Sequence, residues 1–127
     1  MTSDTSPKLT VRLETDPAGR PVVLAGPDHR HYKVVFEVEN APPDTYAATF
    51  DLDPETYSDP SRTLRPDAKG RFLLKTTTYG DYPLVVRLRR SRGEDIMLRA
   101  NVASGLRAAH GPAGGDVRQA LEYISAH

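Results

Sequence analysis

Cysteine is absent from the 127 residues, which excludes disulfides, thiolate metal sites and a cysteine nucleophile. Net charge is absent too, because seventeen Lys and Arg residues balance seventeen Asp and Glu residues. Such a chain lacks the basic footprint that grips a nucleic-acid backbone, so no nucleic-acid partner is expected. No apolar run approaches the roughly 20 residues that cross a bilayer, so no membrane partner is expected either. The opening residues, Met1 to Pro7, are polar and unlike a signal peptide, and a cytoplasmic location is the expectation. Long unbroken helical patterns are scarce, since eleven prolines and nine glycines interrupt the chain at short intervals.

What is present suits one small domain with a single core: 38% of residues are hydrophobic and 27% charged. Lys8 to Glu14 alternates apolar and polar residues, the signature of a half-buried strand. A turn at Asp16-Pro17-Ala18-Gly19 leads to Pro21–Leu24, read as a returning strand. In His31–Glu39, Tyr32, Val34, Phe36 and Val38 fall on one face. Further strands are expected over Thr45–Leu52, briefly at Thr63–Arg65, and over Arg71–Thr77, Pro83–Arg90 and Asp95–Val102. Short strands with turn signals every eight to twelve residues predict an all-β fold, an antiparallel β-sandwich over residues 8–102. Residues 1–7 are expected to form a flexible N-terminus. Beyond Val102 the pattern turns helical, giving a short C-terminal helical extension over 103–127. There Asp116 is the predicted N-cap of a helix whose stripe is Val117, Ala120, Leu121 and Ile124.

Catalytic motifs are missing: there is no Gly-x-Ser-x-Gly elbow, P-loop or dinucleotide-binding glycine loop. His29 and His31 have the spacing of two ligands on one strand face, but no third ligand accompanies them, and no metal or other cofactor is expected. Asp51, Asp53 and Glu55 resemble the start of a calcium loop, yet Thr56 stands where the sharp turn requires Gly. A solvated acidic loop is the plainer reading, and a small hydrolase built on these carboxylates ranks last. Arg87, Arg89, Arg90, Arg92 and Arg99 form the densest basic group, suited to phosphate or an acidic partner. With no net charge overall, an ordinary solvent face is the plainer reading of that group as well.

Two loops are rich in aromatic and hydroxyl residues: Thr56-Tyr57, and Thr76-Thr77-Thr78-Tyr79-Gly80-Asp81-Tyr82. Loops at one end of a sandwich can converge, so these rings either clamp a flat neutral group or cap the end of the core.

Phe50–Arg62 followed by Tyr79–Val86, in this order and separation, with the strand Tyr32–Val38 leading into them, resemble the YEATS domain family in its prokaryotic branch. The resemblance covers about residues 30 to 102 and implies an immunoglobulin-like sandwich. It also implies reading of acylated lysine, as in eukaryotic members, with the prokaryotic branch tied to conflict and defence systems. By that resemblance Tyr57 and Tyr79 match the aromatics that sandwich the acyl-amide, and Thr56 matches its hydroxyl partner. The Gly80 N–H matches the main-chain donor to the acyl carbonyl. With Thr78 and Asp81 beside them, these residues are the candidate ligand-binding set. Asp53, Pro54 and Glu55 occupy the stretch where many acyl-lysine readers carry a histidine. The expectation is a non-enzymatic module for a protein or peptide partner. Its alternative is an adaptor that works through a sheet edge and the C-terminal helix, without a small-ligand pocket.

Overall fold

The computed structural model describes residues 6–127. Most of the flexible N-terminus expected at 1–7 therefore lies outside the described residues. Eight strands follow in chain order: β1 (Lys8–Leu13), β2 (Val23–Ala25), β3 (Arg30–Glu39), β4 (Thr45–Asp51), β5 (Ser61–Leu64), β6 (Phe72–Thr78), β7 (Pro83–Arg90) and β8 (Ile96–Asn101). Two helices follow, α1 (Val102–His110) and α2 (Gly115–Ala126). The strands form two antiparallel sheets around one core, a β-sandwich. One sheet centres on β3, with β6 along one side and β1 and β2 along the other. The second has the order β5-β4-β7-β8.

Alternation dictates the core. Tyr32, Val34, Phe36 and Val38 of β3 face inward, with Phe72 from β6, Phe50 from β4, and Leu84, Val86 and Leu88 from β7. Phe36, Phe50 and Phe72 are fully buried, and truncating any one to Ala would cost about 3–5 kcal/mol.

The returning strand expected at Pro21–Leu24 is a correction. A short bridge joins Thr15 to Pro21, but β2 does not run back along β1. Instead β1 and β2 lie end to end beside β3, with Leu13 opposite Val34 and Val23 opposite Tyr32. Lys33 explains this: its carbonyl accepts the Glu14 N–H at 2.9 Å, and its N–H donates to the Val22 carbonyl at 2.9 Å. The ladder thus continues across the excursion of residues 15–21. Asp16 closes that loop by accepting the N–H groups of Ala18 and Arg20, each at 2.9 Å.

The helical segment begins at Val102 and is no appendage. Val102, Leu106 and Ile124 are fully buried in the same core as the sheets. Gly105 lets α1 approach β1 closely, since a Cβ there would stand 2.9 Å from the Val11 Cβ. Asp116 is not the N-cap of α2. Gly114 holds that position, Gly115 turns the chain with a φ of +60°, and Asp116 falls in the first turn, 3.8 Å from Arg20. There its carboxylate complements the positive end of the helix dipole. Among the described residues no helix is long and apolar enough to cross a membrane.

His110 ends α1 and ties it to β1: its Nε2 accepts the Leu13 backbone N–H at 2.9 Å. This bond requires the neutral imidazole, and burial first, then the Arg12 charge, lowers its pKa from 6.5. The unfolded state therefore takes up a proton at a higher pH than the folded state. Stability is full above about pH 6.5 and falls as pH drops toward the lowered folded value. Urea unfolding between pH 7.5 and 5 should show this loss, and His110→Ala should be less stable at pH 7.5 with a flatter profile. An unchanged profile in the variant would contradict the clamp.

Candidate functional site

The loop after β4 is closed on itself. Asp53 accepts the Glu55 N–H at 3.1 Å through one carboxylate oxygen and the Thr56 hydroxyl at 2.7 Å through the other. Its carbonyl accepts the N–H groups of Thr56 and Tyr57. The Thr56 hydroxyl is thus spent within its own turn. Among the described residues no three His, Asp or Glu side chains converge as a metal-ligand set. Neither the Asp51/Asp53/Glu55 run nor the His29/His31 pair gains the partners that a cation requires.

Tyr57 folds over the end of the core, and its hydroxyl accepts from Thr76 at 3.0 Å. Thr76 lies opposite Val34, so this contact is on the inner face of β6. Tyr82 is buried in the core, and its hydroxyl lies near that of Tyr57 but within 3.5 Å of no hydrogen-bond partner among the described residues. Burial above all, with Tyr57 and Asp53 nearby, pushes that hydroxyl well above its usual range.

The loop between β6 and β7 is spent in a different way. The Thr78 hydroxyl donates to the Gly80 carbonyl at 2.6 Å and also accepts the Gly80 N–H at 3.3 Å. Gly80 lies beneath His127, where a Cβ would come within 2.8 Å of the His127 carbonyl carbon. Asp81 accepts the Ala103 N–H at 2.9 Å, capping α1 from outside the helix.

Tyr79 stacks on His29, with ring centres 4.3 Å apart and planes 12° from parallel, and meets His31 edge-on at 5.6 Å. His31 leaves β3 on the face opposite to Tyr32 and Val34. Tyr57 and Tyr79 are therefore held by different partners on the two sides of β6. The ring series continues from His29 to His127, which stacks on Tyr123 at 4.1 Å, and from Tyr123 to Tyr32. The Tyr123 hydroxyl accepts the Arg30 N–H at 2.9 Å. His29, Tyr123 and His127 come from distant parts of the chain, and no local pattern joins them; only the His29/His31 spacing was visible.

Among the described residues, β2 is a feature with unspent polar groups. The Val22 carbonyl and the Gly26 N–H bond to β3 and to the His29 carbonyl, so the alternate residues Val23 and Ala25 turn their N–H and C=O groups to the open side. Val23 is 44% and Leu24 50% exposed. Beside this edge lies a cleft of about 280 Å³, with Val23 and Tyr32 among its lining and Arg20, Arg30, Asp116 and Gln119 around them.

No family model and no curated protein matches this sequence.

If Tyr82 is a core cap, its unpartnered hydroxyl costs stability that Phe would not. Tyr82→Phe should gain about 1 kcal/mol, a rise of a few degrees in Tm. A fall in Tm would show that the hydroxyl makes a bond the fold needs.

Proposed function

We propose that the chain is a non-enzymatic protein-binding domain that captures an extended segment of a partner along the free edge of β2. The observation that carries this reading is the open edge itself, with exposed Val23 and Leu24 beside a cleft of mixed apolar and charged lining. A segment added there would pair with the outward groups of Val23 and Ala25 and send alternate side chains toward Val23 and Tyr32. At about 1 kcal/mol net per main-chain bond, so short an edge leaves most of the affinity and all of the selectivity to the side chains. We read the sandwich as immunoglobulin-like, in line with the YEATS resemblance.

Capture of an acyl-amide between Tyr57 and Tyr79 draws less from the geometry. One face of Tyr79 is covered by His29, the Gly80 N–H is engaged by Thr78, and the Thr56 hydroxyl by Asp53. The adaptor reading, through a sheet edge, needs none of these groups.

Ala25→Pro isolates the edge. It removes an N–H that β3 does not use, so the β2–β3 ladder is kept while the added strand is blocked. Peptides selected from a random display library on the wild-type protein should lose at least about tenfold in affinity for a folded Ala25→Pro variant, roughly the worth of one or two such bonds with their side chains. Equal binding to both proteins would sink the reading.

A further inference from the structure

We propose that the outer face of the β5-β4-β7-β8 sheet is a second docking surface, for a short extended acidic segment of a partner protein. Along β7, Leu84, Val86 and Leu88 are buried in the core, so Arg87 and Arg89 point away from it. On β8, Arg99 lies opposite Val85 and shares that outer face. Among the described residues seven of the seventeen Lys and Arg side chains form ion pairs, and Arg87, Arg89 and Arg99 are among the ten that do not, gathered on one face. Protecting an edge does not account for the first two, because β7 is an inner strand between β4 and β8. Asp51, diagonal to Arg87 across the β4–β7 pair, offsets part of the charge at one end of this face, and Arg89 has no carboxylate among its register neighbours.

The geometry fits alternate carboxylates on an extended chain. Arg87 and Arg89 are two residues apart on one strand, about 6.8 Å, which is the repeat of same-side residues in an extended peptide. Arg99 is diagonal to Arg87 across the β7–β8 pair, about 7–8 Å away. All three are arginines, whose planar forks bind a carboxylate through two parallel bonds. Arg89 is steadied on the sheet by donating from Nε to the Thr49 hydroxyl at 3.3 Å, and Thr49 in turn bonds Thr63.

The occupant is a short acidic peptide segment rather than a nucleic acid. Asp51 lies in the same cross-strand row as Val85 and Arg99, and Asp53, Glu55 and Asp59 follow it. A long polyanion crossing the face would meet the Asp51 carboxylate, whereas a segment with two or three acidic residues stays within the arginines. The register neighbours of the arginines are Ala47, Thr49, Val85 and Met97, none of which offers a ring for base stacking.

The test is a fluorescence-anisotropy titration of the full chain with a peptide of alternating Glu and Thr, alongside its Lys–Thr counterpart and single-stranded oligothymidylate. The Glu–Thr peptide should bind in a salt-sensitive way while the Lys–Thr peptide does not. Arg87→Ser/Arg99→Ser should weaken it about tenfold, the loss of two partly exposed charge pairs. Circular dichroism and Tm of the double variant should match the wild type, because both side chains lie on the solvent face of the sheet. No binding of the Glu–Thr peptide, equal binding by the double variant, or tighter binding of oligothymidylate would each overturn the proposal.

Discussion

The seat of α1 against β1 is the constraint on which the rest of the fold depends. Among the described residues the two sheets share no hydrogen-bonded strand, and α1 packs against both β1 and β8, one strand from each sheet. Three contacts hold that helix along its length. Asp81 caps its start, Gly105 allows the close approach to Val11 in its middle, and His110 receives the Leu13 N–H at its end. Leu106 and Val102 fill the gap from the inside. A helix of nine residues would be marginal alone, so its stability comes from this burial.

That arrangement determines which groups are left for partners. The loop between β6 and β7 is used to seat the helices: Asp81 serves α1, and Gly80 makes room for His127 beyond α2. Tyr57 and Tyr82 close the end of the core. Among the described residues, unspent polar groups remain on the open edge of β2, and cations without an ion pair on the arginine face of the other sheet. The two lie on different sheets, so on the two proposals one chain would hold two segments at once.

Much of the sandwich was legible in the sequence because burial on one face writes itself as alternation. Tyr32, Val34, Phe36 and Val38 announce β3, and Leu84, Val86 and Leu88 announce β7, without reference to anything else in the chain. Pairing was less legible. Whether Pro21–Leu24 folds back on β1 or continues its line depends on the backbone groups of Lys33, which carry no side-chain signature. The candidate site suffered most, since its outcome rested on long-range partners. Tyr79 was visible as a loop aromatic, but the rings around it come from His29, His31 and, through His29, His127. The stripe of Ala120, Leu121 and Ile124 said that the last helix must pack, and could not say that it would join the sheet core.

Native-state amide hydrogen exchange tests the central claim, that α1 is part of the sandwich core rather than an attachment to it. If it is, the Leu106 amide should exchange only through global unfolding, with the same protection as the amides of Val34 and Phe36 in β3. Exchange at Leu106 that is orders of magnitude faster, while β3 stays protected, would show a helix that detaches from an intact sandwich and would contradict the account.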